Sequence, residues 1–222
     1  MTPLHAKLLS FDTATVSDAL DTLGVNGGLA GIQSLDRQQK KIVGPAYTIR
    51  FEPVVNGESA PAADYIDNVP AGAVIVLDNG GRTHCTVWGG ILSSVGLSKN
   101  IAGTVINGLC RDVDSTLAVG FPVFSLGSYM KSGKNRVRMV AEQIPVTIGE
   151  TTVHPGDIIL GDLSGVIAIP AAIAEQIAVK AAEIMAMEKQ VLESLSQGMT
   201  LRAARQKHKY NSFAFRPGEH LP

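Results

Sequence analysis

The chain has 222 residues, of which 45% are hydrophobic and 18% are charged. This composition excludes a mostly disordered protein and predicts an apolar-rich globular one. The charged fraction is lower than is usual, so we expect part of the surface to be buried in an oligomer. With 19 Lys and Arg against 20 Asp and Glu, the net charge is −1, and no basic surface is predicted that would bind nucleic acid directly.

The two cysteines, Cys85 and Cys110, have neither the spacing of a zinc or redox motif nor that of a disulfide framework. The N-terminal residues lack the apolar core of a signal peptide, and no apolar run approaches the roughly 20 residues of a membrane helix. These observations predict a cytoplasmic protein with no membrane partner.

The first predicted elements are one helix and two strands. Residues 15–18 resemble a helix N-cap followed by an acid at the third helical position, and Gly24 ends the apolar pattern. Residues 42–55 are rich in β-branched and aromatic side chains, which is typical of a strand. The continuous apolar run 73–77 predicts a strand that is buried on both faces.

A glycine-dense tract at 78–82 leads towards Gly89-Gly90, which is predicted to open a helix. A short strand at 104–106 is followed by a predicted turn at 107–112. Further strands are expected in the C-terminal half, with turns between them: 123–126, 145–148, 151–153, 157–160 and 166–169.

A long helix is predicted to start at Pro170 and end before Gly198, because apolar residues recur along one of its sides. A basic tail follows at about 200–222, predicted as a short helix with an irregular end that is solvated or covers an interface. The absence of repeats and linkers favours one mixed α and β domain over residues 1–222.

Several common site chemistries find no support in the sequence. The five histidines are scattered without metal-ligand spacing, so a zinc site is not expected. Glycine-rich dinucleotide and P-loop motifs are absent, and Ser93-Ser94 and Ser164 have no obvious base for nucleophilic catalysis.

The first candidate site is Gly89-Gly90-Ile91-Leu92, at the predicted start of a helix. The free backbone N–H groups and the positive end of the helix dipole would favour a carboxylate there. The alternative is purely structural, since paired glycines also let a loop pack tightly against a strand.

The second candidate is Arg111-Asp112, with Asp114 nearby, directly after a predicted buried strand. An arginine beside an aspartate supplies a carboxylate clamp and a hard oxygen ligand together, although such a pair is more often a surface or loop-bracing ion pair. Both candidates lie at predicted strand-to-helix junctions, and such junctions can converge.

These motifs resemble the RraA-like family, which includes the 4-hydroxy-4-methyl-2-oxoglutarate / 4-carboxy-4-hydroxy-2-oxoadipate aldolases. The resemblance extends over most of the chain, from the opening helix to the closing strands: 15–21, 89–92, 102–108, 111–114, 155–157 and 161–170. It implies an α/β fold of the swivelling β/β/α type, an αββα sandwich. It also implies homotrimers or hexamers with sites between subunits.

The resemblance further implies a class II lyase that needs Mg²⁺ or Mn²⁺ and forms pyruvate from small 2-keto diacids, by retro-aldol cleavage or by decarboxylation of oxaloacetate. Asp112 would bind the metal, and Arg111 would hold the carboxylate and keto oxygens of the substrate. The backbone N–H groups of Gly89, Gly90, Ile91 and Leu92 would hold the carboxylate. Among the histidines only His84 lies near either motif.

The sequence departs from the family pattern at two positions. The aldolases have an aspartate where this chain has Gly90, and other members often have an acid where it has Ser115; Asp114 lies one position early. An acid from a neighbouring subunit is also expected, with Glu188 or Glu193 as candidates. The alternative function is that of a non-catalytic regulator, which binds and inhibits a ribonuclease.

Overall fold

Apolar strands flanked by helices organise the protein in the computed structural model, which describes residues 2–36, 38, 41–55, 59–60 and 64–213. The α-helices are α1 (Pro3–Leu9), α2 (Thr13–Asp21), α3 (Gly90–Ser98), α4 (Val113–Val119), α5 (Ala174–Ser196) and α6 (Leu201–Lys207). The strands are β1 (Gln33–Ser34), β2 (Ile42–Pro53), β3 (Val74–Trp88), β4 (Gly103–Cys110), β5 (Val123–Ser125), β6 (Val137–Glu142), β7 (Val146–Ile148), β8 (Thr151–Val153), β9 (Ile158–Asp162) and β10 (Gly165–Ile169). Short 3₁₀ turns lie at Tyr65–Asn68, Ala171–Ile173 and Tyr210–Phe213.

The main sheet has the strand order β1-β5-β4-β3-β2-β9-β10, and β6 also pairs with β2. Strands β2 to β5 are mutually parallel, whereas β9 and β10 are antiparallel. Gly28 pairs with Ile167 of β10, and the chain then enters β1, which pairs with β5. This segment therefore nearly closes the sheet on itself.

The strands carry apolar side chains on both faces, as predicted for 73–77. Ile75 and Leu77 belong to a core cluster packed under α3, whereas Val74 and Val76 belong to a second cluster inside the curved sheet. A third cluster lies between the sheet and helices α1, α2 and α5. The structure confirms the mixed α/β fold predicted from the sequence.

Most predicted elements are present, including the long C-terminal helix. Helix α5 begins at Ala174, after a 3₁₀ turn, rather than directly at Pro170. The predicted short helix of the basic tail is α6, whereas residues 214–222 lie outside the described part of the chain. In the described ranges, no helix combines the length and apolar character needed to cross a membrane.

Two predictions of local structure were wrong. The N-cap of α2 is Asp12 rather than Thr15, because the Asp12 carboxylate accepts a hydrogen bond from the Thr15 N–H at 2.7 Å. Residues 107–110 belong to β4 instead of a turn, and the glycine-dense residues 78–82 belong to β3. The register of this pair shifts between Asp78 and Arg82, so the glycines of the tract form a bulge within the strand rather than ending it.

Candidate functional site

The two candidate motifs meet because they follow neighbouring parallel strands. Strands β3 and β4 end in register at Trp88 and Cys110. Gly89 follows the first and Arg111 the second, and the Arg111 N–H donates to the Trp88 carbonyl at 3.0 Å. The structure thus brings together the double-glycine turn and the arginine–aspartate step, 22 positions apart in sequence from Gly90 to Asp112.

Asp112 lies between the two motifs in a left-handed backbone conformation, with φ 55° and ψ 43°. It is the N-cap residue of α4, but its side chain makes no capping hydrogen bond. Instead, Oδ2 accepts a hydrogen bond from the Gly90 N–H at 3.1 Å and lies 3.6 Å from Arg111 Nε. The second oxygen, Oδ1, has no hydrogen bond to the described residues and remains available to a ligand.

Helix α3 begins at Gly90, so its first N–H groups have no acceptor within the helix. The Gly90 N–H is used by Asp112, and the helix geometry leaves those of Ile91 and Leu92 open. Of the four N–H groups expected to hold a substrate carboxylate, that of Gly90 is therefore not available. It holds the carboxylate of Asp112, the candidate metal ligand, instead. The remaining donors lie at the positive end of the helix dipole, where a carboxylate is favoured.

Gly89 is required by the close approach of the two motifs. A Cβ atom at this position would lie 2.6 Å from Asp112 Oδ2 and 3.3 Å from Arg111 Cγ. The backbone there is extended, with φ −164°, so the requirement comes from space rather than from strain. The structural and the functional interpretation of the glycine pair are therefore compatible, because the tight packing that Gly89 allows is packing against the candidate site.

We expect Gly89→Ala to displace the Asp112 carboxylate and lower the activity proposed below by about 100-fold, because small misplacements of reacting groups are costly. Gly28→Ala is the matched control, since its Cβ would meet only Asn26 Oδ1 at 3.7 Å. Steady-state kinetics and circular dichroism of both variants would check this. Equal activity of the Gly89 variant and the wild type would contradict the importance of the contact.

A buried serine supports the site from behind. Ser93 Oγ accepts a hydrogen bond from Trp88 Nε1 at 2.9 Å and lies 3.1 Å from Thr116 Oγ1. The same hydroxyl lies 3.2 Å from the Gly89 carbonyl. Ser93 therefore connects β3, α3 and α4, a role that no sequence motif indicates because its partners come from three elements.

The site opens into a cavity of about 220 Å³, smaller than the roughly 300–1,000 Å³ of sites for drug-sized ligands. Gly89, Ile91, Leu92, Arg111 and Asp112 line it. Sequence analysis missed the other side of its wall, which includes Phe51, Asp64, Tyr65, Ser132, Lys134 and Val137. These residues come from segments distant in sequence and carry no motif. The cavity suits a small acid.

The residues present fit a hard divalent cation bound by few protein ligands. In the part of the chain that the structure describes, no three His, Cys, Asp or Glu side chains are grouped so that they could hold a metal. Mg²⁺ does not need such a group, because it is commonly bound by one or two carboxylates together with water and substrate. The half-exposed Asp112 carboxylate, with Oδ1 unpaired, meets that requirement, whereas a structural zinc site would need more ligands.

The two departures from the family pattern lie against each other. A Cβ atom on Gly90 would be 3.1 Å from Ser115 Cβ and 3.5 Å from Asp112 Cβ. Gly90 has no side chain, and the Ser115 side chain lies next to the space that one would occupy. Asp114 is exposed, and His84 is exposed on β3 and does not line the cavity.

Glu188 and Glu193 are the two candidates for an acidic residue that one subunit contributes to the site of its neighbour, and they lie in different surroundings. Glu188 is half-buried on α5, and its pKa is raised by burial and then by the charges of Asp18 and Asp12. Glu193 is exposed, with its carboxylate 4.0 Å from Lys189 Nζ. Only Glu188 therefore belongs to a concentration of acidic groups.

Several known proteins are similar in sequence to this chain. The RraA-like family model, described as "Aldolase/RraA", matches residues 13–168. Protein DlpA of Legionella pneumophila is 43% identical over 212 residues, which are 95% of this chain but 34% of that protein. The chain thus spans about a third of the length of this relative. A protein of Halalkalibacterium halodurans named "Putative 4-hydroxy-4-methyl-2-oxoglutarate aldolase" is 29% identical, over 86% of this chain and 88% of its own.

Two solved structures extend the similarity to the whole fold. An uncharacterized protein from Pseudomonas syringae has a TM-score of 0.87 at 40% identity, covering 92% of this chain and 93% of its own. Streptomyces coelicolor RraAS2, described as an unusual member of the RNase ES inhibitor RraA protein family, has a TM-score of 0.79 at 26% identity, covering 85% and 96%. On the family model and these similarities, the chain belongs to the RraA-like family.

Proposed function

We propose that this protein is a divalent-metal-dependent lyase that forms pyruvate from small 2-keto diacids, by retro-aldol cleavage or by decarboxylation of oxaloacetate. The observation that carries the proposal is the convergence of Arg111, Asp112 and the start of α3 on one small cavity. The aldolase name of the Halalkalibacterium halodurans relative supports lyase chemistry in general.

The chain's own groups match the charges of such a substrate. The guanidinium of Arg111 can donate to the carboxylate and keto oxygens, and the N–H groups of Ile91 and Leu92 can receive the carboxylate. In either reaction the C3–C4 bond breaks and its electron pair moves to the keto oxygen, leaving the enolate of pyruvate, which is then protonated at C3. In retro-aldol cleavage the C4 hydroxyl gives its proton to water as C4 becomes the carbonyl carbon of the second product, and in decarboxylation C4 leaves as CO₂. Arg111 is placed to stabilise the negative charge that develops on that oxygen.

Asp112 is the residue that would hold Mg²⁺ or Mn²⁺. When bound, such a cation supplies Lewis-acid stabilisation of negative charge on a substrate oxygen. The contacts of Asp112 Oδ2 with Gly90 and Arg111 orient the carboxylate, leaving Oδ1 as the proposed ligand. This arrangement keeps the arginine and the metal-binding oxygen at the same end of the cavity.

We further propose that the protein works as a homotrimer or hexamer and that a neighbouring subunit completes the site. The exposed apolar side chains near the site, Ile91 at 81% and Met130 at 76% exposure, support burial against another copy. Glu188 is the better candidate for the acid donated across that contact, because it is half-buried close to Asp18 of α2 and to Asp12 at the N-cap of that helix.

The second candidate function is that of a protein that binds and inhibits a ribonuclease. It is favoured by the similarity to RraAS2, which is described as a member of a family of RNase ES inhibitors. Inhibition requires an exposed protein surface but neither Asp112 nor a divalent cation. The two functions therefore differ in their dependence on metal and on this residue.

Pyruvate release from oxaloacetate, measured with Mg²⁺ or Mn²⁺ and again after addition of EDTA, tests the proposal. We expect turnover above the metal-only rate that EDTA abolishes and that re-added metal restores. Several small keto diacids, including 4-hydroxy-4-methyl-2-oxoglutarate, should be tried in parallel. Absent turnover with all of them, or turnover insensitive to the chelator, would contradict the lyase function and leave ribonuclease inhibition as the function to test.

A further inference from the structure

The basic tail forms a positively charged groove that the proposed function does not use. The groove lies along helix α6 and the 3₁₀ turn that follows it, and has a volume of about 640 Å³. Its walls are Leu201, Arg202, Arg205, Gln206, Lys209 and Asn211. Three of these side chains are cationic and the others are neutral, although the whole chain has a net charge of −1. Positive charge is therefore concentrated at this groove.

The cations of the groove are unpaired inside the protein. In the portion of the chain that is described, none of the three forms an ion pair, whereas Lys180 and Lys189 of helix α5 lie 2.9 Å and 4.0 Å from glutamate oxygens. The sequence provides the reason, since it has no acidic residue between Glu193 and Glu219. Unpaired like charges that lie close together repel one another, so the groove favours an anion from outside the chain.

Helix α6 is packed against α5, which fixes the positions from which the cationic side chains extend. Ala204 is fully buried in a cluster with Met187 and Val191 of α5. At the end of α6, His208 Nε2 lies 2.8 Å from Ser194 Oγ, also on α5. A site on a backbone that is already fixed needs little ordering when a ligand binds.

The side chains of the groove match a phosphate group in type. The guanidinium of Arg205 lies over the Tyr210 ring, with Cζ 4.9 Å from the ring centroid. This stacking uses the face of the guanidinium and leaves the N–H groups at its edge as donors. Guanidinium groups donate paired hydrogen bonds to phosphate oxygens, and Lys209, four positions further on, adds an ammonium group to the same groove.

The number and the spread of the charges favour a small phosphorylated ligand. Three positive charges exceed what one carboxylate would neutralise, but they suit a phosphate ester or a diphosphate, which carries two or more negative charges. A nucleic acid contacts several successive phosphates and needs a longer basic surface, whereas the neighbouring helix α5 exposes Glu183 and Glu193. Leu201, at 47% exposure, offers an apolar contact to the organic part of such a ligand.

We propose that the groove on α6 binds the phosphate group of a small phosphorylated ligand, held chiefly by Arg205 and Lys209. Binding is non-covalent, with the guanidinium and ammonium groups as donors and the phosphate oxygens as acceptors. The groove is lined by residues other than those of the candidate lyase cavity, and the proposal is independent of the proposed function.

Titration of the full chain with pyrophosphate and with inorganic phosphate, followed by phosphorus NMR in metal-free buffer at constant ionic strength, tests this site. We expect saturable binding that is tighter for pyrophosphate, and an affinity lower by about tenfold or more in Arg205→Gln and in Lys209→Gln, since each variant lacks one charged donor. Arg205→Lys keeps the charge but not the planar group, and its affinity should also fall. Lys207→Gln is the matched control, because Lys207 is an exposed cation of α6 outside the groove lining. It should keep the wild-type affinity.

Several results would overturn the inference. They are the lack of saturation with either probe, wild-type affinity in both groove variants, and an equal loss in Lys207→Gln, which would indicate diffuse attraction. Loss of binding in Arg111→Lys but not in Arg205→Gln would place the anion in the other cavity. A change of oligomeric state in Arg205→Gln without any phosphate would show that a second copy covers the groove, and tighter binding of single-stranded RNA than of pyrophosphate would show a nucleic-acid surface. Each outcome leaves the lyase function to its own test.

Discussion

Replacing Asp112 with asparagine is expected to lower kcat/KM for pyruvate formation by at least about 100-fold, because it removes the proposed metal ligand. Asparagine has nearly the same shape, can still accept the hydrogen bond from the Gly90 N–H, and tolerates the left-handed backbone of this position. What it lacks is the negative charge that a hard divalent cation requires of its ligand. The loss should therefore be in metal binding, with the fold retained.

Asp114→Asn is a closely matched control for this variant. Asp114 lies two positions further on, in the first turn of α4, and is exposed. The substitution changes the net charge by the same amount but touches none of the contacts of the candidate site. Steady-state kinetics over a range of Mn²⁺ concentrations would separate the two variants. Similar metal dependence in Asp112→Asn and Asp114→Asn would show that Asp112 is not the metal ligand.

Replacing Arg111 with lysine should cost about 100- to 1,000-fold in kcat, as does the loss of one donor to a developing oxyanion. Lysine keeps the positive charge but lacks the planar group that can donate two parallel hydrogen bonds to a carboxylate. Because the effect concerns charge that develops during the reaction, it should appear mainly in kcat. Rapid measurement of pyruvate release at saturating substrate would determine it.

Arg202→Lys makes the same exchange on the exposed helix α6, away from the cavity, and should retain full activity. Because Arg111 Nε lies 3.6 Å from the Asp112 carboxylate, the metal affinity of the Arg111→Lys variant should be measured as well. Metal affinity in Arg111→Lys should change much less than in Asp112→Asn. A lysine variant with wild-type kcat would exclude the proposed role of the guanidinium in stabilising the enolate.

Sequence periodicity predicted the elements that have strong and uninterrupted patterns. The apolar run 73–77 and the long helix near 170–198 correspond to β3 and α5, because their burial is dictated by the spacing of apolar residues. The glycine-dense tract 78–82 has no such pattern, and its sequence did not show that the strand continues through it. Here Gly80 and Gly81 take positive φ angles of 60° and 67° and form a bulge, and pairing with β4 resumes at Arg82.

The candidate site was predictable only where its residues lie in sequence motifs. Arg111, Asp112 and Gly89 lie at predicted strand-to-helix junctions, which indicated that they can converge, and the pairing of β3 with β4 brings them together. The opposite wall comes from Asp64 and Tyr65 at the start of a 3₁₀ turn, from β2 and from the residues around Lys134. Their approach depends on long-range packing, which no local pattern records. The hydrogen bond from Gly90 to Asp112 is likewise visible only in three dimensions.

A crystal of the protein soaked with Mn²⁺ and pyruvate, measured at a wavelength where manganese scatters anomalously, tests the central claim most directly. We predict one anomalous peak per chain at about 2.0–2.3 Å from an oxygen of Asp112, with pyruvate lying between the ion, Arg111 and the first turn of α3. A peak at other residues, or pyruvate bound away from Arg111 with no ion on Asp112, would contradict the account.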